Sequence, residues 1–146
     1  MSYVIQGIQH IGIAVSDMNA SLMLYRKLFG LDMPFFDDVA AAPLMNSHTN
    51  GKTIVKRASM VLNHQGGAAV EIISPTSFKP RGPIFDLRQG DLGIGSVMMK
   101  TPDIRKMHEH ALSIIPKSCD QEMVIDSLGR LTFFLRDFDG NLFQIL

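Results

Sequence analysis

Two side chains in this sequence have types and surroundings that suit chemistry. His10 lies in GIQHIGIAVSDM (7–18), an alternating run in which Ile11, Ile13 and Val15 face one way while His10, Gly12 and Ala14 face the other. The second face leaves room for a small molecule beside an imidazole, which is a good ligand for a divalent ion. The competing reading is a buried histidine satisfied by a hydrogen bond. Glu71 lies in AAVEII (68–73), between Val70 and Ile72. A carboxylate in so apolar a strand needs a cation or a donor to offset its lost hydration, unless it sits at a solvated edge.

Two cations are the next candidates. Arg57, in the middle of TIVKRASMVLN (53–63), and Lys100, in GIGSVMMKTPDI (93–104), each suit an anionic substrate group such as a carboxylate or phosphate. The alternative for both is an aliphatic stem lying on the sheet with its charged end in water. His108 and His110 lie two apart on a predicted helix, about 200° around its axis, so they form no chelate and read as surface residues. Cys119 has no motif around it and no second cysteine to pair with.

The elements that must carry these residues come in two copies. A shift of 86 positions pairs Gly7 with Gly93, Ile8 with Ile94, Ile11 with Val97, Asp17 with Asp103 and Met18 with Ile104. Ser96 then falls where His10 stood, with Met98 and Lys100 on its side of the strand and Val97 and Met99 on the other. Each strand leads into a helix, capped by Ser16 or Asp17 in the first copy and by Thr101 or Asp103 in the second. The first helix carries a stripe of Met18, Leu22, Tyr25, Leu28 and Phe29 and stops at Gly30. The second presents Ile104, Met107, His108, Ala111, Leu112 and Ile115 before Pro116. Both stripes are expected to pack on the bulky strand face.

Three strand-like runs follow each helix: near 33–36, from Thr53 and from Ala68 in the first copy, and from Glu122, Arg130 and Asn141 in the second. Gln65-Gly66-Gly67 and Asp139-Gly140-Asn141 supply hairpin turns. Residues 38–52 read as an irregular loop. Residues 76–91, rich in proline and glycine, read as a linker between modules at about 5–75 and 92–146 of one domain, 1–146.

With 146 residues the chain suits one compact domain. Fourteen basic and fourteen acidic side chains cancel, which argues against nucleic acid as a partner and favours a small molecule. No apolar run approaches the roughly 20 residues that cross a bilayer, so no membrane role is expected. The lone cysteine, ten oxidisable methionines and the absence of a visible secretory signal point to the cytoplasm.

With His10 in IQHIGIAVSDM, Glu71 in AAVEIISP and the ending RDFDGNLFQI, the sequence resembles the vicinal oxygen chelate superfamily, which includes glyoxalase I, extradiol dioxygenases and bleomycin resistance proteins. The resemblance covers nearly the whole chain. It implies an α+β fold of two tandem βαβββ modules forming a curled mixed sheet cup with helices outside, and a homodimer. It also implies four metal-ligand positions, which here hold His10, Glu71, Ser96 and Gln144.

Three of the four suit a divalent ion such as zinc, nickel, cobalt, manganese or iron: His10, Glu71 and Gln144. Ser96 is a poor ligand and is read, with Lys100 and Arg57, as a substrate contact. Gln144 cannot act as a base, so Glu71 is the expected catalytic group. One histidine and one carboxylate do not make the iron site of a dioxygenase. The resemblance thus implies a glyoxalase-like lyase, isomerase or epimerase acting on a small oxygenated metabolite. The alternative is a metal-free binding or resistance-type protein using the same cup.

Overall fold

The computed structural model describes residues 7–82, 85, 91 and 93–146. Residues 5–6, 83–84, 86–90 and 92, parts of the expected first module, linker and second module, lie outside the described residues. The chain divides into two compact units, Met1–Pro80 and Arg81–Leu146. Each has one strand, one helix and three further strands, and each builds a four-stranded mixed sheet, so the class is α+β as expected.

In the first unit the alternation around His10 becomes β1 (His10–Ala14), which leads into α1 (Met18–Phe29). Asp17 caps this helix, its carboxylate accepting the Ala20 N–H at 3.0 Å. Gly30 ends it in the left-handed conformation, φ 64°. Met18, Ser21, Leu24, Tyr25 and Leu28 are buried, so Leu24 takes the core position expected of Leu22. The chain continues through β2 (Met33–Ala42), a short 3-10 helix (Pro43–His48), β3 (Ile54–Leu62) and β4 (Ala69–Pro75). The sheet order is β1-β4-β3-β2, with β1 parallel to β4 and the other pairs antiparallel. Ile13, Val15, Val70 and Ile72 are buried on the side that receives α1.

The irregular stretch expected at 38–52 is shorter than its composition suggested. Residues 38–42 continue β2 and pair with β3 from Asp38↔Ala58 to Ala42↔Ile54. Alanine is a poor strand former, and here the ladder to a β-branched neighbour overrides that local preference.

The second unit contains β5 (Val97–Met99), α2 (Ile104–Ile114), β6 (Val124–Ile125), β7 (Leu131–Arg136) and β8 (Leu142–Ile145), in the order β5-β8-β7-β6. Asp103 caps α2 through the Lys106 N–H. The surface position expected for His108 is corrected. Its helical spacing from Ile104 and Ala111 turns it toward the sheet, where it is buried with its ring edge-on to Phe133 at 4.7 Å and Nε2 2.7 Å from the Asp120 carbonyl. Among the described residues no helix is long and apolar enough to cross a membrane.

The Gly30 turn yields a direct test. A Cβ there meets nothing within 4 Å, so the cost of Gly30→Ala is conformational alone. We expect a loss of about 1 kcal/mol, read from the urea unfolding midpoint at unchanged slope.

Candidate functional site

Strand register decides which side chains meet in the first unit. Gly12 pairs with Glu71 across the β1–β4 ladder, and Met60 pairs with Glu71 across β3–β4. Cross-strand partners share a face, and so do residues two apart. His10, Gly12 and Ala14 of β1, Glu71 and Ile73 of β4, and Lys56, Ala58 and Met60 of β3 therefore line one face. Val70, Ile72, Arg57 and Ser59 line the other, toward α1.

On the first face the Glu71 carboxylate is approached from two sides. His10 Nε2 stands 3.5 Å from Oε2, and Lys56 Nζ stands 3.8 Å from Oε1. The Glu71 side chain is 18% exposed, little enough for lost hydration to matter, and both neighbours can carry positive charge. His10 Nδ1 lies 3.3 Å from the Gln9 side-chain oxygen. With Nδ1–H donating there, Nε2 keeps its lone pair toward Glu71. An imidazole lone pair and a carboxylate oxygen at this distance repel unless a proton or a metal ion lies between them. Donor atoms on one tetrahedral ion stand roughly 3.4 Å apart for bonds of about 2.1 Å, so the pair fits as two ligands of a divalent ion. Among the described residues no group of three or more His, Cys, Asp or Glu side chains is gathered for a metal.

Arg57 does not join this pair. It stands on the α1 side, where its guanidinium forks onto Asp37 at 2.8 and 2.7 Å and reaches Asn19 of α1 at 2.8 Å. The physical reason is parity. Arg57 is three residues from Met60, so the two cannot share a face, and its neighbour Lys56 has the reach to Glu71. The Arg57 hydrogen bonds hold the Asp37 carboxyl below its ordinary pKa, with burial opposing them, and Asp37 raises that of the guanidinium in turn.

In the second unit Gln144 pairs with Met98 on β5 and with Phe134 on β7, placing these three on one face. Gln144 is 7% exposed, and no side-chain hydrogen bond reaches its amide among the described residues. Ser96 immediately precedes β5 and is half-buried. The bonds Leu146 N–H to Met99 O and Thr101 N–H to Leu146 O extend the ladder past β5, so the exposed Lys100 keeps the alternation and falls on the Gln144 side. Within this unit an open cleft of about 380 Å³ is lined by Lys117, Cys119, Asp120, Phe134, Arg136 and Leu142, among others. Burial, aided by the Asp120 charge, pushes the Cys119 thiol up to about 11, so it is not a nucleophile at neutral pH.

Sequence reasoning placed His10 and Glu71 on the right strands but missed Lys56 and Gln9. The signal for Lys56 was the alternation of β3, once Met60 is set opposite Glu71.

A family model for the Glyoxalase/Bleomycin resistance protein/Dioxygenase superfamily matches residues 7–145. Among solved structures, a glyoxalase family protein from Bacillus cereus is similar with a TM-score of 0.72 at 14% identity, covering 98% of this chain and 94% of that one. A glyoxalase family protein from Enterococcus faecalis gives a TM-score of 0.67 at 18% identity, covering 96% of each chain. A genomically encoded fosfomycin resistance protein from Listeria monocytogenes gives 0.65 at 14%, covering 97% of this chain and 93% of that one. No curated protein matches the sequence.

The Arg57–Asp37 brace predicts a pH signature. The folded pKa of Asp37 is depressed, so its contribution is present above the unfolded value and is lost as pH falls through the folded one. After discounting for solvent screening at these part-exposed side chains, Asp37→Asn is expected to cost about 1 kcal/mol at pH 7. That gap closes as pH drops below about 4, measured by urea unfolding across the range. A second expectation concerns Cys119. In the native protein at pH 7.5 (about one unit below an ordinary thiol pKa of ~8.5), it reacts with a thiol reagent far more slowly than in 6 M denaturant (roughly complete unfolding).

Proposed function

Because the chain belongs to the Glyoxalase/Bleomycin resistance protein/Dioxygenase superfamily, we propose that it is a glyoxalase-like lyase, isomerase or epimerase that moves a proton on a small oxygenated metabolite. The observation that carries this reading is the 3.5 Å approach of His10 Nε2 to Glu71 Oε2, with Nδ1 turned toward Gln9. A divalent ion held by His10 and Glu71 would supply Lewis acidity, offsetting negative charge that develops on neighbouring oxygens of the metabolite. Glu71 would accept the proton, being a partly dehydrated carboxylate on the face against which the metabolite would lie. Gln9 fixes the tautomer and orientation of His10. Gly12, Ala14 and Ala58 leave the face low enough for a small molecule to lie against it. Gln144 as a further ligand and Ser96 as a substrate contact are proposed from the resemblance, and Lys100 as an anion contact from its charge and its place on the Gln144 side of its strand.

One observation favours a second reading, a metal-free binding protein. Lys56 gives Glu71 a cation from its own sheet at 3.8 Å, so the carboxylate has a counterion without any metal. We further propose a cytoplasmic homodimer. The exposed apolar side chains Phe35, Val39 and Leu44 of the first unit support self-association.

Metal content of protein purified without chelator separates the two readings. The enzyme reading expects close to one transition-metal ion per chain, reduced at least tenfold in His10→Ala and Glu71→Gln, together with metal-dependent deuterium uptake from solvent by members of a panel of 2-oxo and 2-hydroxy acids followed by NMR. Metal-free protein that gains no metal on dialysis against zinc or cobalt would sink it and leave the binding reading.

A further inference from the structure

We infer that the cleft of the second unit takes a small organic monoanion. Lys117 and Arg136 meet a carboxylate at one end, Phe134 and Leu142 meet an apolar body, and the Gln144 amide meets a hydrogen-bonding group at the other end. None of this needs a metal ion, so the inference stands apart from the metal-binding reading above.

Strand register puts these groups together. Arg136 pairs with Leu142, and Phe134 pairs with Gln144, across β7 and β8. Residues two apart share a face, so all four lie on the face opposite Phe133, which packs against His108 of α2. The stretch 118–120 runs beside β7 as a wall: the Arg136 N–H donates to Ser118 O at 2.7 Å and the Asp120 N–H to Phe134 O at 2.9 Å. The volume of about 380 Å³ suits a small organic molecule.

Two observations give the ligand its chemistry. The first is charge. Lys117 is exposed and makes no ion pair among the described residues. Arg136 Nη1 donates to Gly140 O at 2.9 Å, which anchors the guanidinium at the cleft. Asp120 brings the opposing charge, with Oδ2 accepting the Phe134 N–H at 3.0 Å in the place of a backbone carbonyl. Two cations against one carboxylate leave one net positive charge, the complement of a monoanion.

The second is Gln144, which is 7% exposed and makes no side-chain hydrogen bond among the described residues. No fully buried side-chain N or O atom there lacks a partner, so the part of Gln144 that stays open is its amide. It offers a donor and an acceptor beside Phe134 and Met98, its cross-strand neighbours, and gains from a ligand that supplies their partners. Gln144 lies one strand across from Arg136 and about 7 Å along the sheet, a separation that one aromatic ring with para substituents spans.

The test titrates the full chain, with chelator present, with the terephthalamate monoanion, benzoate and neutral terephthalamide, read by backbone amide NMR shifts. Terephthalamate is expected to shift Ser118, Asp120, Phe134 and Leu142. It binds about fivefold more tightly than benzoate and about tenfold more tightly than terephthalamide. Lys117→Met weakens both anions about threefold. Gln144→Leu abolishes the preference for terephthalamate over benzoate and leaves benzoate binding unchanged; should it fail to fold, Gln144→Met carries the same expectation. Shifts confined to other residues, no binding of any probe, or terephthalamide binding as tightly as the monoanion overturns the site. A preference for terephthalamate that survives loss of the Gln144 amide overturns the part assigned to Gln144.

Discussion

A carboxylate on a strand whose neighbours are buried is the constraint around which the first unit is organised. Val70 and Ile72 are 2% and 0% exposed, and Glu71 between them points the opposite way into a setting only partly open to water. Dehydrating that charge costs more than a surface residue's share of stability can offset, unless positive groups approach it. His10 and Lys56 do so from different strands. The strand pairing that brings them there is the same pairing that closes the apolar side over α1.

The two faces of this sheet solve opposite problems. On the helix side the charges cancel locally. Arg57, Asp37 and Asn19 tie β3, β2 and α1 together through a planar fork, a geometry that a lysine could not reproduce. On the other side the small residues Gly12, Ala14 and Ala58 leave Glu71 and His10 standing above their surroundings. A one-residue shift in register along β3 would exchange Arg57 for Lys56 and put a guanidinium against Glu71, so register is a functional variable here as much as a structural one.

Much of this was legible in the sequence because it is written in period and repetition. The 86-residue repeat and the strand-helix-strand-strand-strand order both appear as read, and His10 with Glu71 meet as their motifs implied. What stayed hidden depended on pairing between distant segments. Arg57 looked as available as Lys56 until Met60 was placed opposite Glu71, and that pairing is a long-range property. Residues 38–42 looked like loop because three alanines and an aspartate, weak strand formers, outweigh the single Val39. His108 belonged to the apolar stripe of its helix and yet read as a surface residue by its type, and what settles it in the core, Phe133 and the Asp120 carbonyl, comes from elsewhere in the second unit.

The parallel pairing of β1 with β4 has a further consequence. Parallel neighbours cannot be joined by a tight turn, so the first and last strands of the unit pair across most of its sequence and bear the entropy of closing that long segment. His10 and Glu71 sit on those two strands, one near each end of the unit's sequence. Any ligand gripping both side chains is therefore a clasp across the unit's ends. It recognises the folded chain and ignores the unfolded one, so occupancy and thermal resistance must rise together. The site is in that sense the unit's own gauge of whether it has finished folding.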